Sequence, residues 1–250
     1  VGATTVDCSA ADGAGNTAHK SVAVTVTDTT PPALTLPANI TAEATGPSGA
    51  AVTYTASATD AVDGARPVAC TPASGSTFAL GATTVTCSAS DTHGNTSTGS
   101  FTVKVQDTTP PTVSASRSPG PNANGWNNTD VVVSFTCTDG GSGMAACSGP
   151  TTLTGDGAGQ KVTGTATDKA GNSSFFDVFV SIDKTPPTIT GSRTPAANAA
   201  GWNNSDVTVS FTCTDGGSGV NTCSGPTTLG EGASQSVTGA ATDKAGNTAS

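Results

Sequence analysis

The turn D-x-x-G-N occurs four times, at Asp12–Asn16, Asp91–Asn95, Asp168–Asn172 and Asp243–Asn247. The first three copies are followed, one short strand later, by D-[TK]-T-P-P, at Asp28–Pro32, Asp107–Pro111 and Asp183–Pro187. Successive copies lie about 75–80 residues apart, longer than one supersecondary unit and right for a small domain. Within each turn the aspartate is suited to accept its own backbone N–H groups, and Gly-Asn supplies a left-handed residue. The proline pair fixes φ at the linker and removes two donors, which stiffens the joint. The punctuation therefore predicts a string of small domains on stiff linkers, an elongated array.

The segments between the turns alternate with period two. Val52, Tyr54, Ala56 and Ala58 share one face of a strand expected at 51–58, and Val85, Cys87 and Ala89 share another. Phe101, Val103 and Val105 follow, then Val131, Val133, Phe135 and Cys137. Val162, Gly164 and Ala166, and Phe176, Val178, Val180 and Ile182, complete the inward set. With 11% charged residues, 31 glycines, 15 prolines and no clean helical period, an all-β chain of tandem immunoglobulin-like β-sandwiches is expected. The expected division is the tail of a domain at 1–28, whole domains at 29–107 and 108–184, and a copy at 185–250 lacking its last strand. Gly201–Asn204 repeats the Gly-Trp-Asn-Asn of Gly125–Asn128. Both ends read as mid-domain, so a longer polypeptide is expected, or a strand supplied by a neighbouring copy.

Seven cysteines fit the repeat. Cys137 and Cys147 recur as Cys213 and Cys223, each pair ten apart, and Cys70 and Cys87 form a third pair. Cys8 matches Cys87 in its surroundings, so its partner is expected upstream of Val1. One disulfide per domain implies an oxidising, extracellular compartment, and the C-x-x-C spacing of a zinc site is absent.

A net charge of −9 gives nucleic-acid phosphate no basic face. No run of 18 apolar residues is present to span a membrane. Two isolated histidines, His19 and His93, and no G-x-S-x-G elbow leave nucleophilic catalysis little to work with, so no enzyme is expected. The turn carries alanine at Ala14, Ala170 and Ala245 where it carries His93.

Residues 28–107 resemble a hyalin repeat. The likeness is carried by D-T-T-P-P, by A-T-D-A-V-D-G at Ala58–Gly64 and by C-T-P-A-S-G-S-T-F-A-L-G at Cys70–Gly81. T-T-V-T-C-S-A-S-D-T-H-G-N at Thr83–Asn95 and the following F-T-V-K-V-Q-D complete it, and residues 1–28 look like the tail of another repeat. Residues 108–250 resemble bacterial immunoglobulin-like repeats, through Gly125–Val133, Thr138–Met144, Gly201–Val209 and Thr214–Val220, with an added cysteine pair. These resemblances imply immunoglobulin-like sandwiches in large adhesive, secreted proteins, and no active site.

In such a sandwich the entering linker lies at the same end as the B–C and F–G loops. That end would gather Asp28, Asp60, Asp63 and Asp91 in one domain, Asp107, Asp139 and Asp168 in the next, and Asp183, Asp215 and Asp243 in the last. Two readings stand: the aspartates satisfy their own turns, or each set offers calcium hard oxygen ligands at a domain junction. Trp126 and Trp202 likewise read either as lids on a small core or as stacking platforms for sugar rings. The expected role is that of a stalk, adhesin shaft or extracellular fibre. Its partners would be neighbouring domains, other copies in a fibre, or surface glycans and proteins. A glycan-binding or accessory module and a strand-exchanged filament subunit are the alternatives.

Overall fold

A computed structural model describes all residues, Val1–Ser250, and contains strands but no helix. β-branched Val and Thr suit a pleated, half-buried surface, and the glycines and prolines fall between strands. The chain divides into two compact units, Val1–Thr108 with Gly140–Ser142, and Thr109–Asp139 with Gly143–Ser250.

The first unit opens with a hairpin, Gly2–Ala11 against Thr17–Val26, exposed on both faces. A sandwich follows. One sheet has the order Ile40–Glu43, Thr96–Gln106, Gly81–Ser90, Ala69–Thr71, its first pair parallel. Facing it are the sheets Ala33–Thr35, Ser57–Asp60, Gly64–Arg66 and the pair Ala50–Ala51 with Thr77–Phe78. Val85, Cys87, Phe101, Val103 and Val105 are buried between the layers with Val52 and Phe78, the alternation expected from the sequence. Tyr54 stands edge-on to Phe101, with ring centroids 4.9 Å apart, and its hydroxyl donates to the Pro72 carbonyl.

The continuous strand expected at 51–58 is broken. Only Ala50–Ala51 and Ser57–Asp60 are strand, although the inward alternation of Val52, Tyr54, Ala56 and Ala58 holds. Its backbone turns instead to the 73–76 loop. The Val52 N–H donates to Ser76 O, and Ser74 Oγ both accepts from Tyr54 N and donates to Tyr54 O.

The second unit holds the same two-sheet arrangement twice. Thr112–Ser118, Val131–Thr138 and Thr151–Leu153 form one sheet, and Met144–Cys147, Gly157–Asp168 and Ser173–Ile182 face it. Val131, Val133, Val162, Val180 and Ile182 form the core. Gly164 sits directly beneath the Phe135 ring, and a Cβ there would lie 2.2 Å from Phe135 Cδ1. Phe176, expected inward, is 46% exposed, on the edge strand Ser173–Ile182. The second copy pairs Thr188–Thr194, Val207–Thr214 and Thr227–Leu229, with Val220–Cys223, Ala241–Asp243 and Thr248–Ala249 opposite. There Gly239 takes the place of Gly164 beneath Phe211, with a Cβ distance of 2.4 Å.

Three disulfides form as the spacing predicted. Cys70–Cys87 joins directly opposed residues of adjacent strands, while Cys137–Cys147 and Cys213–Cys223 each tie one sheet to its partner. Cys8 is an exposed thiol with no partner among residues 1–250.

Candidate functional site

The repeated turn is built as its residue types demand. In Asp91–Asn95 the Asp91 Oδ1 accepts the His93 and Asn95 N–H groups at 2.8 Å each, and Gly94 takes φ +91°. The Asn95 amide then does two things. It donates to Asp91 Oδ2 at 2.6 Å and reaches back to the Asp28 carbonyl at 3.1 Å. One side chain thus fastens the entering linker to the turn. In the last copy Asn247 Nδ2 repeats this, donating to Asp243 Oδ2 at 2.7 Å and to the Asp183 carbonyl at 2.8 Å.

Asp28, Asp63 and Asp91 converge, and His93 joins them, with one donor atom from each lying within 4.8 Å of the others. His93 Nδ1 is 3.8 Å from Asp28 Oδ2 and 3.7 Å from Asp63 Oδ2. Asp63 Oδ2 accepts both the N–H and the hydroxyl of Thr92, each at 2.7 Å, and these bonds hold its carboxyl below the ordinary range. At Asp91 burial pushes the carboxyl up, but bonds from Asn95, His93 and Gly94 outweigh it and lower the value. Asp60 does not join the group. Its Oδ1 accepts the Val62 and Asp63 N–H groups at 2.8 and 2.9 Å, so it closes its own loop while that loop carries Asp63 to the cluster. The converging group thus holds His93 and not Asp60, where the sequence grouped Asp60 with Asp28, Asp63 and Asp91. The signal was His93 itself, a histidine where the other copies of the turn have alanine.

Asp183, Asp215 and Asp243 form a second group, again with one oxygen each within 4.8 Å of the others, and Asp183 and Asp243 are each 1% exposed. Asp183 Oδ2 accepts the Ser218 N–H at 2.6 Å, and Oδ1 accepts the Thr185 N–H at 3.1 Å. Burial pushes the Asp183 carboxyl up, but the Ser218 and Thr185 bonds prevail and leave it lowered. A Cβ at Gly217 would lie 2.5 Å from this carboxylate, so the glycine of T-D-x-G-S-G is the clearance that lets Asp183 reach the backbone. Asp215 Oδ2 accepts the Gly217 and Gly219 N–H groups. No Lys, Arg or His pairs with these three carboxylates. At such separations each ionised pair repels by about 3.5 kcal/mol or more at an effective dielectric of roughly 20.

Asp107, Asp139 and Asp168 are the sequence counterparts of that group. Asp107 lies in the first unit, where its Oδ2 accepts the Ser142 N–H at 2.6 Å and Gly141 gives it the same clearance. Asp139 and Asp168 lie in the second unit, where Asp139 accepts the Gly143 N–H at 2.7 Å and Asp168 Oδ1 accepts the Asn172 N–H at 2.8 Å.

The two tryptophans part company. Trp126 is half-buried, and the following Asn127 is tied to Ser181 and Asp183 by backbone bonds of 3.0 and 2.9 Å. Trp202 is 58% exposed, and within residues 1–250 the backbone of Asn203 makes no counterpart of the Asn127 bonds to Ser181 and Asp183. It borders an open groove with Arg193, Asp206 and Glu231.

Residues 27–105 match the family model of the HYR domain. The chain is 34% identical over 204 residues to hyalin of Strongylocentrotus purpuratus, an alignment covering 76% of this chain and 17% of that protein. It therefore spans about a sixth of the length of this relative. Among solved structures, the N-terminal eight immunoglobulin domains of Down syndrome cell adhesion molecule align at 14% identity and TM-score 0.38, over 84% of this chain and 31% of that one. A Ca²⁺-stabilised adhesin with which an Antarctic bacterium binds ice aligns at 20% identity and TM-score 0.23, over 87% and 66% of the two chains. No helix is long and apolar enough to cross a membrane. Three formed disulfides and the family match identify the chain as an extracellular protein, and residues 27–105 as a HYR (hyalin-repeat) domain.

Proposed function

We propose that this chain is a structural, adhesive segment of a longer extracellular repeat protein, a spacer whose joints are stiffened by calcium. The observation that carries this reading is the fastening of linker to turn. Asn247 binds the Asp183 backbone, Ser218 binds its carboxylate, and the linker is thereby ordered as part of the following sandwich. A segment that orders its own linkers transmits position and force along the chain. The groups that face this joint are Asp183, Asp215 and Asp243, hard oxygen donors that form no ion pair with a Lys, Arg or His side chain. Calcium is the ion such a set prefers, and it would offset the mutual repulsion of the three. Asp107, Asp139 and Asp168 carry the same residue types by sequence.

Two measurements on the 250-residue chain test this. Melting in excess calcium and in chelator should differ: a ligand at about 100 times its Kd adds about 2.7 kcal/mol. For domains this small that is a rise of roughly 10–20 °C, reduced in Asp183→Asn. Identical melting curves in the two buffers would remove calcium from the account. Small-angle scattering should give an extended particle, and a compact profile would end the spacer reading.

A further inference from the structure

The cluster in the HYR domain differs in kind from the all-carboxylate groups. We propose that Asp28, Asp63, Asp91 and His93 form a site for a divalent transition-metal ion of the zinc class.

The first observation is convergence. Three carboxylates and one imidazole present donor atoms within 4.8 Å of one another, with His93 Nδ1 at 3.7–3.8 Å from Asp63 Oδ2 and Asp28 Oδ2. Four N and O ligands at about 2.0–2.2 Å from a tetrahedral zinc ion lie roughly 3.3–3.6 Å apart. Contraction by a few tenths of an ångström would bring the nearest atoms to that spacing.

The second observation is independent of the first. The Asp28 side chain is 3% exposed, its Oδ1 accepts the Thr30 N–H at 3.0 Å, and its Oδ2 is buried with no hydrogen-bond partner. A buried carboxylate oxygen without a donor is costly and calls for a counter-charge. This one faces His93 and Asp63, where a ligated cation would stand.

Donor chemistry selects the ion. Calcium takes oxygen ligands, whereas imidazole suits zinc, copper, nickel and iron. The surrounding bonds hold the ligands in place as outer-shell partners do at metal sites. Thr92 fixes Asp63 through its N–H and hydroxyl, and Asn95 fixes both Asp91 and the Asp28 backbone. His93 is 33% exposed in its side chain, which leaves the ion a route in. The other three turns have alanine at this position, so the site belongs to this domain alone.

The test is cobalt(II) and zinc(II) titration of the 250-residue chain carrying Cys8→Ser, which removes the one free thiol. The site should take up one equivalent of cobalt, with the visible absorption of a tetrahedral N/O ion, displaced by stoichiometric zinc and not by calcium. His93→Ala places at this position the alanine that Asp168–Asn172 and Asp243–Asn247 carry in the same turn, so it tests ligation without threatening the fold. It should weaken binding by roughly tenfold or more, as should Asp28→Asn. Equal cobalt affinity and stoichiometry in His93→Ala, displacement by calcium, or no uptake at all would each overturn the proposal. Because the readout is the cobalt spectrum at His93, it is independent of whether calcium stiffens the Asp183 joint.

Discussion

Gly164→Ala is the substitution whose cost follows most directly from the structure. The added Cβ would lie 2.2, 2.4 and 2.5 Å from Phe135 Cδ1, Cε1 and Cγ, distances no pair of carbons tolerates. The ring cannot simply swing away, because it is packed against the buried cluster of Val131, Val133, Val162, Val180 and Ile182. Overpacking of this kind costs about 1–3 kcal/mol. At about 4–8 °C per kcal/mol for a sandwich of this size, the melting midpoint should fall by roughly 5–20 °C. The chain has two tryptophans, so Trp202→Phe leaves Trp126 as reporter of the sandwich concerned. The decisive comparison is the double-mutant cycle. Phe135→Ala alone opens a cavity costing about 3 kcal/mol, the low end for phenylalanine because the ring is only partly buried. Adding Gly164→Ala to it should then cost nothing, or recover part of the loss. If the two effects add to within about 0.5 kcal/mol, the clash is not what glycine at 164 avoids. Gly239 and Phe211, at 2.4 Å, repeat the contact and should give the same coupling.

Replacing Cys70 and Cys87 by serine releases a loop of sequence separation 17, worth about 3 kcal/mol by the chain-entropy estimate. A urea midpoint unchanged by that pair would contradict it. The lowered carboxyls of Asp63, Asp91 and Asp183 bind protons less readily folded than unfolded. Their contribution is therefore fully present above the unfolded value near 4 and is lost as pH falls through the lowered folded values. Urea midpoints measured from pH 7 to pH 2 should drop in the acid range, and the drop should be shallower in Asp183→Asn. A flat profile below pH 4 would refute the assignment.

Much of the fold was legible because its signals are local. Alternation at Val85, Cys87 and Ala89 places side chains on one face whatever the strand pairs with, since the period of two is a property of extended backbone. The cysteine spacings named their own disulfides, and D-x-x-G-N specified its turn through the short reach of aspartate. The broken strand between Ala51 and Ser57 was not legible, because the groups that took over its hydrogen bonds, Ser74 and Ser76, lie some 20 residues away in sequence.

The sequence by itself determined the all-β class, the repeat and the disulfides, because each depends on residue type at short spacing. Only the tertiary structure decided which of the candidate side chains meet. It set Asp60 to its own loop, brought His93 against Asp28 and Asp63, and gave Gly217 and Gly164 their roles as clearances for Asp183 and Phe135. Those outcomes depend on how loops and facing sheets approach one another, a matter of ångströms in space that no spacing along the chain encodes.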